Sequence, residues 1–345
     1  MLFFISPAMK ISYSLSRWMS LLAFVLCGFE ANAETATLWV SGVREDGGWY
    51  DVNKANPKAA DGDNNLCYAA AASNLIAWWQ CRYRIEETIP NTAEDIWNAY
   101  KTASKEDVGG DVGAAVQWWL SGVDSPVRKD DESRPVYSYS ADNKSLLNQF
   151  DGYYYDQCNL SNYNEVRYID SNGNQQYDKD VDPLRSYPVA LGDFIYTLNE
   201  STGVTDGVRN LPGSSDVLTL IEDGYGVALS ITDGNTLAHA ITLWGVDYDV
   251  ETKAITALHL TDSDDEQYGK NTDGLFRVES TISEDGRIIF SEYWGSHVGD
   301  IYVRGLYGIN PAVSDSWGLL MVPEPATATL GLLALTGLAV RRRRR

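Results

Sequence analysis

The chain of 345 residues carries 27 basic and 48 acidic side chains, a net charge of −21 at pH 7. A surface that negative repels phosphate backbones and anionic lipid, which excludes nucleic acid as a partner and confines any membrane contact to the chain's ends. The composition is otherwise that of a globular protein without internal repeats, with 11 Trp and 21 Tyr as its one oddity.

From residue 9 the sequence reads "MKISYSLSRWMSLLAFVLCGFEANAE". Lys10 and Arg17 form a positive start, 19–29 an apolar run, and Ala31-Asn32-Ala33 a small-residue cleavage site, so residues 1–33 are predicted to be a signal peptide and the protein to be exported. The folded domain is expected over 34–321. With both ends removed, Lys10, Arg17 and the five terminal arginines go together with only Glu30 and Glu324, leaving a net charge of −26.

The stretch "GGWYDVNK" (47–54) ends on Lys54, and "DNNLCYAAAASNLIAWWQ" (63–80) runs from a polar turn into Cys67 and a small-residue apolar segment. Its pattern predicts a helix over 67–82 with Cys67 at the N-terminus. Further helices are expected at 93–103 and at 112–120, the latter closing on Gly122. The segment 134–187, rich in Tyr, Asn and Asp, reads as loop and irregular insertion. Within it, "DSNGNQQYDKDVD" (170–182) has the alternation of a calcium loop, but Gly173 is at the fourth position, Gln175 at the sixth and no glutamate at the twelfth, so it reads as a solvated acidic turn.

A helix capped by Ser214 or Ser215 and closed by Gly224 comes next. The pattern then changes to strands at 226–231, 238–248, 254–264, 274–280, 287–293 and 301–308, rich in β-branched and aromatic residues, as a meandering antiparallel sheet would be. N-terminal helices packed on a C-terminal antiparallel sheet make an α+β domain.

A thiol at a helix N-terminus is stabilised as the thiolate by the dipole and the free backbone N–H groups, which makes Cys67 a candidate nucleophile. Such a nucleophile needs a histidine and a group that orients it. If the hairpin 238–264 turns at Val250 and Glu251, His239 stands opposite Asp262, and a slip of two residues offers Asp264 instead. His259 lies mid-strand on the other face and reads as structural. His297 is a loop residue with no acid placed for it. Without HExxH or CxxC, no cofactor or metal is expected. Two other functions stay open: a non-catalytic surface adhesin on a peptidase scaffold, and a glycosidase using two carboxylates with aromatics as sugar platforms.

In order along the chain, "GGWYDVNK", "NNLCYAAAASNLIAWW", "GVALS", "HAITLWGVDYD" and "LTDSD" resemble the IdeS/Mac family of bacterial cysteine endopeptidases, known for cutting immunoglobulin G. The resemblance implies a papain-like cysteine peptidase fold and a protein substrate. It also implies Cys67 as nucleophile, His239 as general base, Asp262 and Asp264 as the acids behind it, and Lys54 supporting the oxyanion beside the Cys67 N–H. The segment 134–187 departs from the family, so immunoglobulin cleavage does not carry over with the fold.

The last residues, "VPEPATATLGLLALTGLAVRRRRR" (322–345), hold an apolar run shorter than the ~20 residues a membrane-crossing helix needs. They resemble the PEP-CTERM sorting tail of Gram-negative bacteria. That implies cutting by a membrane exosortase and delivery to the cell surface or extracellular matrix, with the membrane met only through the tail. In such a compartment Cys67 must stay free, and Cys81 and Cys158 are left as a candidate disulfide.

Overall fold

A computed structural model describes residues 34–54, 63, 65–104, 109–122, 152–154, 194–199, 212–235, 237–264, 274–290, 300–314, 317, 319 and 321, and the backbone of short strands at 126–129, 136–139, 164–168, 184–188, 204–205 and 208–209. At its centre is α1 (Cys67–Gln80). Four successive alanines favour the helix, and every residue from Tyr68 to Gln80 is buried, so the helix is surrounded rather than laid on a surface. Around Trp79 the rings of Tyr154, Phe194 and Trp317 lie with centroids 4.8, 5.2 and 6.0 Å away. Trp78, Trp97, Trp119 and Trp244 are fully buried too, which makes these tryptophans core rather than sugar platforms.

The other helices are α2 (Ala93–Ala103), α3 (Val112–Ser121), α4 (Ser214–Glu222) and the short α5 (Pro311–Ser314). Thr92 caps α2 and Asp111 caps α3, accepting from the Asp95 and Ala114 N–H groups at 3.1 and 2.9 Å. Gly122 ends α3 at φ 82°, in the left-handed region glycine favours.

The main sheet has nine strands: β1 (Thr35–Trp39), β6 (Ile195–Asn199), β9 (Gly226–Thr232), β10 (Ala238–Asp249), β11 (Ile255–Thr261), β12 (Phe276–Glu279), β13 (Thr281–Ile282), β14 (Ile288–Phe290) and β15 (Ile301–Ile309). All its pairings are antiparallel, in the order β12-β11-β10-β9-β15-β14-β13, with β1 on β10 and β6 on β15. One edge of β10 pairs first with β9 and then, from Gly245, with β1, while β11 lines the other. Strands β12 and β13 stand at opposite ends of this order yet are separated only by Ser280, so the sheet curls until it is nearly closed. The helix α1 lies against β9 and β10 so closely that a Cβ on Gly226 would sit 2.5 Å from the Trp78 ring.

The α+β class and all six expected strands are found, with four differences. The last strand, β15, crosses back to pair with β9, so the sheet is two meanders, β9 to β12 and β13 to β15, joined along β9 and β15. Strands β1, β6 and β13 were not expected. The cap of α4 is Gly213, whose N–H donates to Asp216 Oδ2 at 2.9 Å, rather than Ser214 or Ser215. The segment 134–187, read as irregular, contains β3 (Val136–Tyr139), β4 (Asn164–Tyr168) and β5 (Leu184–Pro188). Here β3 pairs with β2 (Pro126–Lys129) and β4 with β5; a further two-stranded pair, β7 (Val204–Thr205) with β8 (Val208–Arg209), follows β6. Tyrosine and valine favour strands even in an otherwise polar segment, which explains the difference. Residues 1–33, His297, Cys158, 170–182 and 322–345 lie outside the described residues.

Across the face of the sheet, Asp247 on β10 ties four strands together. Its Oδ1 accepts from Thr37 Oγ1 (β1) at 2.6 Å and meets His259 Nε2 (β11) at 3.0 Å, and its Oδ2 accepts from Arg277 Nε (β12) at 2.6 Å. The Trp39 ring lies 4.4 Å from that of His259. Burial pushes the Asp247 carboxyl up, but these three partners hold it below the ordinary carboxylate value. The stabilisation is therefore complete at neutral pH and is lost as the pH falls through that lowered value. Asp247→Ala is expected to cost about 2–3 kcal/mol in urea denaturation near neutral pH, because His259 and Thr37 lose a buried partner, and the difference from wild type is expected to shrink on acidification.

Candidate active site

Helix α1 differs from α2 and α3 in that no N-cap side chain accepts from its first turn. The N-cap is Leu66, the first turn holds no acid, and Cys67 is the first helical residue. The leading N–H groups of a helix have no acceptor within it, so the positive end of α1 opens at the thiol.

His239 is the second residue of β10, paired with Ile231 of β9, and the sheet presses it against the start of α1. Its Nε2 is 2.6 Å from Asp262 Oδ1. The Cys67 thiol hydrogen-bonds the same ring, and with Nε2 occupied the nitrogen left to the sulfur is Nδ1. The Ala240 N–H also donates to Cys67. Burial pushes the Cys67 thiol up, but His239, then Lys54, then the Ala240 N–H hold it below the value of an ordinary thiol. For His239, burial disfavours the charged ring, and Asp262 and Cys67 outweigh this, raising it well above an ordinary histidine. Both shifts favour the thiolate–imidazolium pair over the neutral thiol and neutral ring.

The two aspartates divide their work. Asp262 faces His239, and its Oδ1 also accepts from the Asp264 N–H at 3.0 Å. Asp264 Oδ1 is 2.7 Å from Lys54 Nζ, and its Oδ2 is 3.8 Å from His239 Nδ1. Burial raises the Asp264 carboxyl above its ordinary value, against the pull of His239 and Lys54. Lys54, His239, Asp262 and Asp264 are all 5 % exposed or less, so this ion network is shut off from water, with Cys67 at its half-exposed edge.

The hairpin delivers this arrangement in a register other than the expected one. Five residues, 250–254, connect β10 to β11, with the Asp249 N–H donating to the Ala254 carbonyl at 2.9 Å and Lys253 at φ 60°. Thr242 pairs with Thr261 and Leu243 with Leu260, two places from the register that would set His239 opposite Asp262. Strand β11 ends at Thr261, and the turn after it swings Asp262 to His239 and Asp264 to Lys54. Asp264, the residue that the slip brings level with His239, serves Lys54 instead.

His259 is held by Asp247 and Trp39 on the far face, away from this network. Cys81 ends α1 as an exposed free thiol; fourteen residues at ~1.5 Å each put it ~21 Å from Cys67. Residues that the sequence reading passed over are the Ala240 N–H, Thr261 and Trp244. Thr261 could have been noticed as one of four consecutive polar residues, 261–264, closing an apolar strand.

A model of the Mac 1 family matches residues 32–108 and 156–298. The chain belongs to the Mac 1 family. Among known proteins it is similar to an IgM protease of Streptococcus suis, 26 % identical over 244 residues, which are 68 % of this chain and 19 % of that protein. The chain therefore spans about a fifth of the length of that relative. The family match breaks off over 109–155 and resumes at 156, so the departure from the family begins before 134 and ends before 187. Family membership and this similarity together support a protease.

A lowered thiol value has a direct readout. Alkylation of Cys67 by iodoacetamide, followed by peptide mass mapping, is expected to persist at pH values where an ordinary thiol no longer reacts. His239→Ala should move the midpoint of that profile upward, because it removes the main cation holding the thiolate.

Proposed function

We propose that the protein is an exported cysteine endopeptidase of papain-like type, with the Cys67 thiolate as nucleophile, His239 as acid and base, and Asp262 as the group that orients His239. The observation that carries this reading is the line from the open N-terminus of α1 through His239 to Asp262, with a 2.6 Å contact at its buried end. The thiolate attacks the carbonyl carbon of a substrate peptide, forming a C–S bond and pushing the electron pair onto oxygen. The Cys67 N–H and the Lys54 ammonium receive that oxyanion. When it collapses, the C–N bond breaks and the amine leaves with the proton from His239. A water molecule then adds to the thioester while His239 takes its proton. Breaking the C–S bond releases the acid and restores the thiolate and imidazolium.

Asp264 acts on Lys54 in this scheme, neutralising a cation that is otherwise costly to bury. The substrate is a protein outside the producing cell; the similarity to an IgM protease supports including immunoglobulins in the test panel. The ends of the chain support export through residues 1–33 and processing at 322–345 by an exosortase, with delivery to the surface or matrix of a Gram-negative bacterium.

Cleavage of a panel of protein substrates tests the mechanism. Cys67→Ala is expected to fold and show no measurable activity, and His239→Ala to be nearly as severe. Asp262→Ala should cost less, since the base remains but is poorly oriented. Lys54→Ala should lower turnover by roughly 10²-fold, the scale of losing one oxyanion donor. Full activity in a folded Cys67→Ala variant overturns the mechanism.

A further inference from the structure

Residues 50–54 form no helix or strand, yet they place the Lys54 ammonium in a buried site. Hydrogen bonds tie the segment down. Thr261 Oγ1 donates to the Tyr50 carbonyl at 2.9 Å, the Lys54 N–H donates to the Ser263 carbonyl at 2.9 Å, and Asp51 Oδ2 accepts from the Gly274 N–H at 2.9 Å. The first differs from the others because a hydroxyl can rotate. A threonine has one proton to give, and here its oxygen is held as well: the Trp244 indole N–H donates to it at 2.8 Å. Trp244 and Thr261 are 0 and 1 % exposed, so water cannot substitute for either partner. The Tyr50 ring lies 6.2 Å from that of Trp244, against the same support.

We propose that Thr261 is a positioning residue for the oxyanion site: its hydroxyl, locked by Trp244, fixes the 50–54 segment and through it the place of the Lys54 ammonium. This rests on the assignment of Lys54 to the oxyanion. Thr261 stands on the last residue of β11, immediately before Asp262, so one strand end sets both the acid behind His239 and the segment that brings Lys54. A shift of the ammonium by a fraction of an ångström lengthens its contact with the oxyanion, which exists only during reaction, and leaves substrate binding alone.

The test is a mutant cycle on steady-state cleavage of a protein substrate, with folding followed by thermal denaturation. Thr261→Val keeps the shape and removes both hydrogen bonds; it is expected to lower kcat by about tenfold with KM within about twofold. Thr261→Ser, which keeps the hydroxyl, should recover most of the loss. In a Lys54→Ala background, Thr261→Val should lower kcat no further, because the residue it acts through is gone. Where Thr261→Val does not fold at the assay temperature, Trp244→Phe takes its place, releasing the hydroxyl while keeping the ring's bulk, with the same pattern expected. An unchanged kcat in the Thr261 or Trp244 variant, a loss that appears in KM instead, or an equal further loss on top of Lys54→Ala overturns the positioning role. Full activity in Lys54→Ala itself would instead overturn the oxyanion reading on which it stands.

Discussion

Burying ions is the constraint that orders this molecule. A lysine, a histidine and two aspartates stand within a few ångströms of one another, nearly out of reach of water, beside a thiol of lowered pKa. Isolated charges in such surroundings would be neutralised or expelled, so each needs a partner of opposite sign at hydrogen-bond distance. The pairing is met in sequence: α1's N-terminus and His239 for the thiol, Asp262 for His239, Asp264 for Lys54. Removing one member leaves another uncompensated. This couples the chemistry of Cys67 to side chains as far along the chain as residue 264.

The fold meets that demand through close approach rather than through flexible reach. Helix α1 can lie on β9 and β10 only because Gly226 has no side chain to strike Trp78, and Gly245 leaves the same kind of room for Trp39 where β10 changes partners. The long strand β10 thereby serves two purposes on opposite faces. One end presents His239 to the thiol, and the other presents Asp247 to His259, Thr37 and Arg277. The two histidine–aspartate pairs look alike on paper, yet the second has no thiol beside it among the described residues and acts as a cross-strand lock. Its partners are an arginine and a threonine, suited to holding a carboxylate in place.

The chain belongs to the Mac 1 family and is similar to an IgM protease over about a fifth of that protein's length. The family match is interrupted over 109–155, directly before a stretch whose strands pair locally as β4 with β5 rather than joining the main sheet. The nearly closed sheet and α1 hold the ion network, and β4 and β5 pair outside that sheet.

What the sequence determined by itself was local: the helices expected at 67–82, 93–103 and 112–120, found to within two residues, the six later strands, and the helix-end position of Cys67 follow from propensity, apolar period and turn residues acting over a few positions. The same reading marked His239, Asp262, Asp264 and Lys54 from motifs and hairpin arithmetic. Tertiary structure alone decided how they pair. A hairpin connection longer than a two-residue turn moved the register by two places, and the turn after Thr261 then brought Asp262 back to His239 and gave Asp264 to Lys54. The crossing of β15 to β9 and the locked Thr261 hydroxyl between Trp244 and Tyr50 were likewise beyond local signals. Each of these depends on contacts between residues far apart in the chain, where loop closure and packing, not neighbouring residue types, set the outcome.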